Sequence, residues 1–113
     1  MNKPKSAKEI IRSVTPLTEA SFYILSALST PMHGYGVMQL VSEMTHNRVE
    51  LGPGTLYGAL TNLQALGLIE TVASDGSDRR KLYRQTPMGR SVVEKEIDRL
   101  EEVTRHGRLL LGL

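Results

Sequence analysis

Cysteine and tryptophan are both missing from this 113-residue sequence, and phenylalanine occurs once. Without cysteine there is no disulfide framework, no thiolate nucleophile and no cysteine-ligated zinc site, so we expect a reducing cytoplasm as the location. Only 4% of the residues are aromatic, and Leu, Ile, Val and Met must therefore form most of the core. The apolar runs are short, so the sequence predicts neither a membrane-spanning helix nor a secretory signal.

Signatures of catalysis are missing as well. The three histidines are scattered, and the HExxH, GxSxG and GxxxxGK[ST] patterns do not occur. Glu43 and His46 stand three positions apart, a spacing that suits two metal ligands but is far more common among surface polar residues. We expect no enzyme, no metal site and no cofactor.

The charges that are present form two basic patches around a mildly acidic centre. The net charge is only +2, but Lys3, Lys5 and Lys8 lie near the N-terminus and Arg79, Arg80 and Lys81 are consecutive. This distribution favours a polyanionic partner. The length and the 40% apolar content fit one domain.

Apolar periodicity predicts four helices, at residues 6–14, 18–29, 33–44 and 53–66, with Gly67 ending the fourth. Residues 68–74 and 81–85 are rich in strand-forming residues and flank a Gly-containing turn, which predicts a β-hairpin. Pro87 then opens a helix that runs to about Leu110. The predicted fold is mainly α with a small β-hairpin, a winged helix-turn-helix followed by a long C-terminal helix. We divide it into a basic N-terminal segment (1–16), the winged domain (17–86) and a dimerisation helix (87–113).

The helix over residues 53–66 carries the first functional signal. Opposite its apolar face lie small or polar residues, with Tyr57, Thr61 and Asn62 on or beside that surface, and no Lys or Arg occurs between Val49 and Asp78. A small polar surface lets a helix enter the major groove and bond base edges or phosphates. The same pattern also fits ordinary solvent-facing residues, or a flat face that docks a protein partner.

The hairpin carries the second signal. Arg79, Arg80 and Lys81 follow its turn, so three cations lie on a protruding element that phosphates would neutralise. A solvated loop is the plain alternative, but the position directly after a candidate recognition helix favours DNA.

Several colinear stretches resemble the PadR family of bacterial transcriptional regulators. They are HGYGVMQL (33–40), GTLYGALTNLQALGLIE (54–70), DRRKLYRQT (78–86) and Gly89-Arg90. The resemblance implies a winged-helix repressor that binds operator DNA as a homodimer and is released by a small-molecule effector. The single C-terminal helix is similar to the compact branch of that family.

Residue roles follow from the face of the helix and from this resemblance. Tyr57, Thr61 and Asn62 are expected to read the major groove, Thr55 and Tyr35 to fix phosphates, and Arg79, Arg80 and Lys81 to hold the wing on the DNA. Gln85 stands where the family usually has leucine, which predicts weaker packing at the base of the last helix.

The last helix carries an apolar seam between charged flanks, which include Glu96, a pattern typical of helix–helix association. The predicted dimer contacts are Val93, Ile97, Leu100, Val103 and Leu110. A symmetric pair would place two recognition helices about 34 Å apart on a palindromic operator. The alternative function is a winged-helix protein-interaction module that does not bind DNA.

Overall fold

A computed structural model describes residues 6–72 and 80–113 of the chain. Within these residues the elements are α1 (Ala7–Val14), α2 (Glu19–Ala27), β1 (Met32–His33), α3 (Gly34–Met44), α4 (Pro53–Ala65), β2 (Ile69–Val72), β3 (Leu82–Gln85) and α5 (Pro87–Leu111). The prediction of a mainly helical winged fold with a long last helix is confirmed. No helix in the two described ranges combines the length and the apolar content that crossing a membrane requires.

The helix ends follow local sequence signals. The hydroxyls of Ser6, Thr18 and Thr86 accept hydrogen bonds from backbone N–H groups of the first turns of α1, α2 and α5, which satisfies donors that have no partner inside the helix. Pro53 and Pro87 open α4 and α5, where a missing N–H costs nothing. Boundaries that depend on neighbouring residues are therefore the ones that the sequence predicts well.

Within the described residues the sheet has three strands in the order β1-β3-β2, all antiparallel, rather than the two of the predicted hairpin. β1 is a two-residue strand in which Met32 pairs with Tyr83 and His33 pairs with Leu82. Two residues are too few to show an alternating pattern, so only the pairing with a distant strand reveals them. The predicted turn at residues 75–78 lies outside the described residues.

The core joins α2, α3, α4, the sheet and the first half of α5. Its fully buried side chains include Leu25, Leu56, Leu60, Leu68 and Val92. Met44 continues the apolar spacing of α3, but it is 62% exposed because it lies in the last turn of that helix. The apolar spacing of α3 therefore extends beyond the part of the helix that the core covers.

Gln85, just before the last helix, makes two hydrogen bonds to the end of α2. Its side-chain amide donates to the Leu25 carbonyl at 2.9 Å, and its backbone N–H donates to the Leu28 carbonyl at 2.7 Å. The residue thus fastens β3 to the end of α2 by two hydrogen bonds. The side-chain bond gives a partner to a carbonyl near the end of α2, and weaker packing at the base of the last helix stays a prediction.

The first half of α5 is rooted in the domain and the second half projects from it. Val93 is only 6% exposed and packs in the chain's own core, so it lies apart from the exposed part of the predicted seam. Glu96, placed by its sequence pattern among the charged flanks, is 2% exposed. Its carboxylate accepts the Leu17 backbone N–H at 2.8 Å and two Arg99 hydrogen bonds at 2.9 and 3.0 Å.

Candidate nucleic-acid interface

α4 presents the surface that its periodicity predicts. Leu56, Leu60 and Leu63 are buried against the core. The other side of the helix is exposed and consists of Gly54, Thr55, Gly58, Thr61, Gln64 and Ala65, with Tyr57 and Asn62 on its flanks. Nothing lies within 4 Å of the position that a side chain on Gly54 or Gly58 would occupy. The exposed side of α4 is open and uncharged.

The start of α3, the middle of α4 and the base of the wing enclose a notch, which we define by its lining residues. They are His33, Gly34, Tyr35, Tyr57, Arg80, Lys81 and Tyr83, around a cavity of about 160 Å³. Four of the residues predicted to bind DNA, Tyr35, Tyr57, Arg80 and Lys81, are thereby brought together. Backbone N–H groups at the start of α3 add a positive partial charge.

Close packing of α3 on α4 fixes the tyrosine in the notch. A Cβ atom on Gly34 would lie 3.2 Å from both the Cε1 and the hydroxyl oxygen of Tyr57. Because glycine carries no Cβ, the Tyr57 ring can lie over the first turn of α3. Half of Tyr57 remains exposed, at 50%, so the residue stays accessible to a ligand.

His33 and Gly34 are functional candidates that the sequence reasoning did not select, although the HGYG motif contains both. The Nδ1 atom of His33 lies 2.9 Å from the Lys81 carbonyl oxygen. Because a carbonyl oxygen only accepts, this hydrogen bond requires the proton on Nδ1. The contact ties the start of α3 to the base of the wing, so the two elements are positioned as one unit.

Tyr83 contributes no negative charge that would repel an anion from the notch. Burial, and to a lesser extent the neighbouring Tyr57, raises the pKa of the Tyr83 hydroxyl above its ordinary value of 10.0. Both causes disfavour the phenolate. Tyr83 therefore stays neutral at physiological pH, and it adds no negative charge beside Arg80 and Lys81.

The remaining predicted contacts lie outside the notch. Thr55 is exposed in the first turn of α4, and the Thr61 hydroxyl donates to the Tyr57 carbonyl at 2.9 Å. Asn62 lines a separate cleft beside the α1–α2 connection. Five positions separate it from Tyr57, about 140° around the helix. A duplex that contacts both residues must therefore cover the full width of α4.

The structure describes only part of the two basic patches. Arg84 forms a 2.7 Å ion pair with Glu70, its partner across β2 and β3, so one cation of the wing is neutralised. Lys81 and Arg80 are exposed at the start of β3. Arg79, Lys3 and Lys5 lie outside the described residues, whereas Lys8 is exposed on α1.

The projecting half of α5 is the second candidate surface. Ile97, Leu100 and Val103 are 41%, 39% and 54% exposed, and Leu110 is 86% exposed. A shallow groove of about 510 Å³ runs along it, lined by Ile97, Leu100, Glu101, Thr104, Arg105, Arg108 and Leu109. Large apolar side chains in a continuous exposed row favour contact with another protein surface.

The side chains that could bind a metal ion are scattered over the described residues. In the part of the chain that the structure describes, no three His, Asp or Glu side chains come close enough together to hold a metal ion. Glu43 and His46, the pair considered from sequence, are both exposed near the end of α3.

Comparison with known proteins identifies the family to which this chain is similar. The transcriptional regulator PadR-like family matches residues 24–95. A transcriptional regulator of Mycobacterium tuberculosis is 37% identical over 81 residues, which cover 70% of this chain and 72% of that protein. A 37.1 kDa protein from a Streptomyces fradiae transposon is also 37% identical over 79 residues, but these span only 22% of its length.

Solved structures share the same fold. A PadR family regulator from Clostridium difficile superimposes with a TM-score of 0.71 at 25% identity, covering 83% of this chain and 99% of that one. A PadR family regulator from Eggerthella lenta also gives a TM-score of 0.71, at 24% identity, over 92% of this chain and 87% of that one.

Proposed function

This chain belongs to the PadR-like family of transcriptional regulators, and on that premise we propose that it is a homodimeric repressor that binds a palindromic operator and responds to a small molecule. In this proposal α4 enters the major groove and the wing holds the adjacent backbone. Tyr57, Thr61 and Asn62 contact base edges or nearby phosphates, and Thr55 and Tyr35 contact phosphates.

The notch is the observation that carries this proposal. Arg80, Lys81 and the N-terminus of α3 border one small cavity, and Tyr57 of α4 lies at its side. These are the groups that proteins use to hold DNA phosphates. A phosphate in the notch would fix α4 in register with the groove.

Dimerisation is proposed through the projecting half of α5. This helix has 25 residues, and at 1.5 Å per residue it is roughly 37 Å long. Its outer turns have no core of their own to pack against, so a second copy would bury their apolar side chains. Repression follows if the dimer occupies DNA that RNA polymerase must reach.

A salt titration tests the DNA-binding part. Fluorescence anisotropy would measure the affinity of the protein for DNA upstream of its own gene and for a scrambled duplex, from low to physiological salt. For Lys81→Ala we expect weaker binding to both duplexes and a log–log salt slope that is smaller by about 1.8, because each of the two subunits loses one phosphate contact. Lys95→Ala, at an exposed position on α5, is the matched control and should leave the slope unchanged.

Tyr57→Phe tests the specific contact. It keeps the ring that packs over Gly34 but removes the hydroxyl, so we expect a loss of about 1 kcal/mol on the upstream DNA and little change on the scrambled duplex. Tyr23→Phe, at a tyrosine of α2 outside the notch, is the control. Equal losses on both duplexes from Tyr57→Phe would contradict the proposed division of roles.

The uncharged side of α4 keeps one other candidate open, a module that docks a protein partner. The two functions differ in their dependence on salt. Phosphate contacts release counterions, whereas a flat uncharged interface does not. Failure of the wild-type protein to bind either duplex at low salt would overturn the DNA proposal and favour the protein-interaction module.

A further inference from the structure

A second cavity lies beside β1, away from the notch. It has a volume of about 240 Å³ and lies between the end of α2, β1 and α3. Among the described residues that line it, none carries a charge. The principal ones are Tyr23, Ser26, Met32, Leu40, Val41 and Met44. An apolar cavity of roughly 150 Å³ holds benzene, so this one is large enough for a bicyclic aromatic molecule.

Ser26 gives this cavity a polar group with an unmet requirement. Its hydroxyl oxygen is buried, and among the described residues it has no hydrogen-bond partner. Leaving a buried hydroxyl without a partner is unfavourable. A ligand with one hydrogen-bonding group would satisfy Ser26 without breaking an existing bond, once the side chains that cover the hydroxyl move aside.

Two methionines make the cavity adaptable. Met32 forms part of the wall from β1, and Met44, at 62% exposed, lies at its open side. Methionine has an unbranched, polarisable side chain that adjusts to the shape of a ligand. Because Met44 lies in the last turn of α3, its exposed side chain is able to fold over a bound molecule.

We propose that this cavity is an effector site for a small, neutral, mostly apolar molecule that carries one hydrogen-bonding group, received by Ser26. Binding of a small molecule in this cavity does not depend on DNA binding, whereas its role as an effector site rests on the proposed DNA-binding function.

β1 connects the cavity to the notch. Met32 lines the cavity and the next residue, His33, lines the notch, because neighbouring strand residues point to opposite faces. Met32 pairs with Tyr83, and His33 holds the Lys81 carbonyl at 2.9 Å. A ligand that displaces Met32 therefore shifts the start of α3 and the base of the wing together. Such a shift changes DNA affinity if the ligand favours one of the two arrangements.

Occupancy is tested without DNA, by methyl NMR of protein labelled with ¹³C-methyl methionine. The probes are indole and indene, which have the same shape but differ in the N–H group. With indole, the Met32 and Met44 methyl signals should shift and saturate, while Met88, at the root of α5, should stay unchanged. Indole should bind about fivefold more tightly than indene, and Ser26→Ala should remove that difference.

Each other outcome counts against the site. A lack of saturation, or equal shifts at Met88, would overturn the cavity as a binding site. A preference for indole that survives in Ser26→Ala would overturn the assigned role of the hydroxyl.

The effector role is tested by repeating the DNA titration with saturating indole. We expect the Kd for the upstream DNA to change at least about threefold. An unchanged Kd, with DNA bound and the cavity occupied, would overturn the effector role alone. Failure to bind DNA at low salt without indole would overturn the proposed function instead, and the NMR result would still decide occupancy.

Discussion

α4 and α5 begin alike but use their small residues in opposite ways. Both open with proline and both carry glycine within the first three positions. On α4 nothing lies within 4 Å of a Cβ placed on Gly54 or Gly58, whereas a Cβ on Gly89 of α5 would lie 2.1 Å from the Leu68 carbonyl oxygen. Small residues on α4 leave room for a partner outside the chain, and the small residue on α5 makes room for the chain itself.

The charged residues of the two helices differ in the same sense. α4 has none, and α5 alternates acids and bases along its length. One acid of α5, Glu96, is buried and anchors the helix to Leu17. The outer turns of α5 expose leucines instead. The exposed side of α4 is thus uncharged along its whole length, while α5 changes from a packed root to an extension with exposed leucines.

The largest expected effect comes from a substitution in the packed first half of α5, and it lowers the free energy of unfolding. Gly89→Ala places a methyl group against a backbone carbonyl that cannot move without disturbing its hydrogen bond from the Thr86 N–H. We expect the free energy of unfolding to fall by about 3 kcal/mol, and the midpoint of thermal unfolding to fall by more than about 10 °C. Differential scanning calorimetry measures both, and a loss below about 1 kcal/mol would show that the contact relaxes easily.

The next effect separates the extension of α5 from its root. Leu100→Glu puts a charge in the exposed groove, so we expect the dimer dissociation constant to rise about a hundredfold, since burying an unpaired carboxylate is costly. Sedimentation equilibrium measures this constant, and far-ultraviolet circular dichroism should show an unchanged helix content. Lys95→Glu, on the opposite side of α5, serves as control. A wild-type monomer at micromolar concentration would contradict the proposed role of the groove.

Much of this contrast could not be predicted from sequence. Helix starts at Thr18, Pro53 and Thr86 depend on residues within one turn, and they were predicted correctly. The placement of Val93 and Glu96 depends on which residues lie across from α5, and the pattern of the helix alone put Val93 in the seam and Glu96 among the flanks.

The residues of the candidate site also fall into those that the local sequence predicts and those that depend on distant segments. The faces of α4 follow from its 100° step, so Tyr57 could be selected from sequence. The notch forms where three distant segments meet, and the two-residue strand β1 that positions His33 has no sequence pattern of its own. The resemblance supplied Tyr35, whereas the contact between Gly34 and Tyr57 is visible only in three dimensions.

A smaller effect tests the anchor of α5 through pH. Hydrogen bonds from Arg99, opposed in part by burial and aided by the Leu17 N–H, lower the pKa of Glu96 below its ordinary 4.5. A lowered pKa in the folded state means that the stabilisation is complete above pH 4.5 and is lost as the pH falls through the folded value. For Glu96→Gln we expect a loss of about 1.5 kcal/mol at pH 7.

The difference between wild type and Glu96→Gln should then shrink below about pH 4. Urea unfolding at a series of pH values measures it. Glu94→Gln, which alters the exposed pair of Glu94 with Arg90, is the matched control and should cost less than about 0.5 kcal/mol. A difference for Glu96→Gln that is constant from pH 7 to pH 3 would mean that the charge of Glu96 does not stabilise the anchor.

The smallest expected effect is a stabilisation at Gly58, in contrast to the destabilisation expected at Gly89. Gly58→Ala adds a methyl group where nothing lies within 4 Å, and alanine loses less backbone entropy than glycine on forming a helix. Unfolding in the absence of DNA should therefore require about 0.5–1 kcal/mol more in the variant. A destabilised variant would mean that α4 is covered in the free protein, because only a surface already in contact could reject one methyl group. The open side of α4 would then belong to the assembly itself, and DNA would have to displace that contact before α4 could enter the groove.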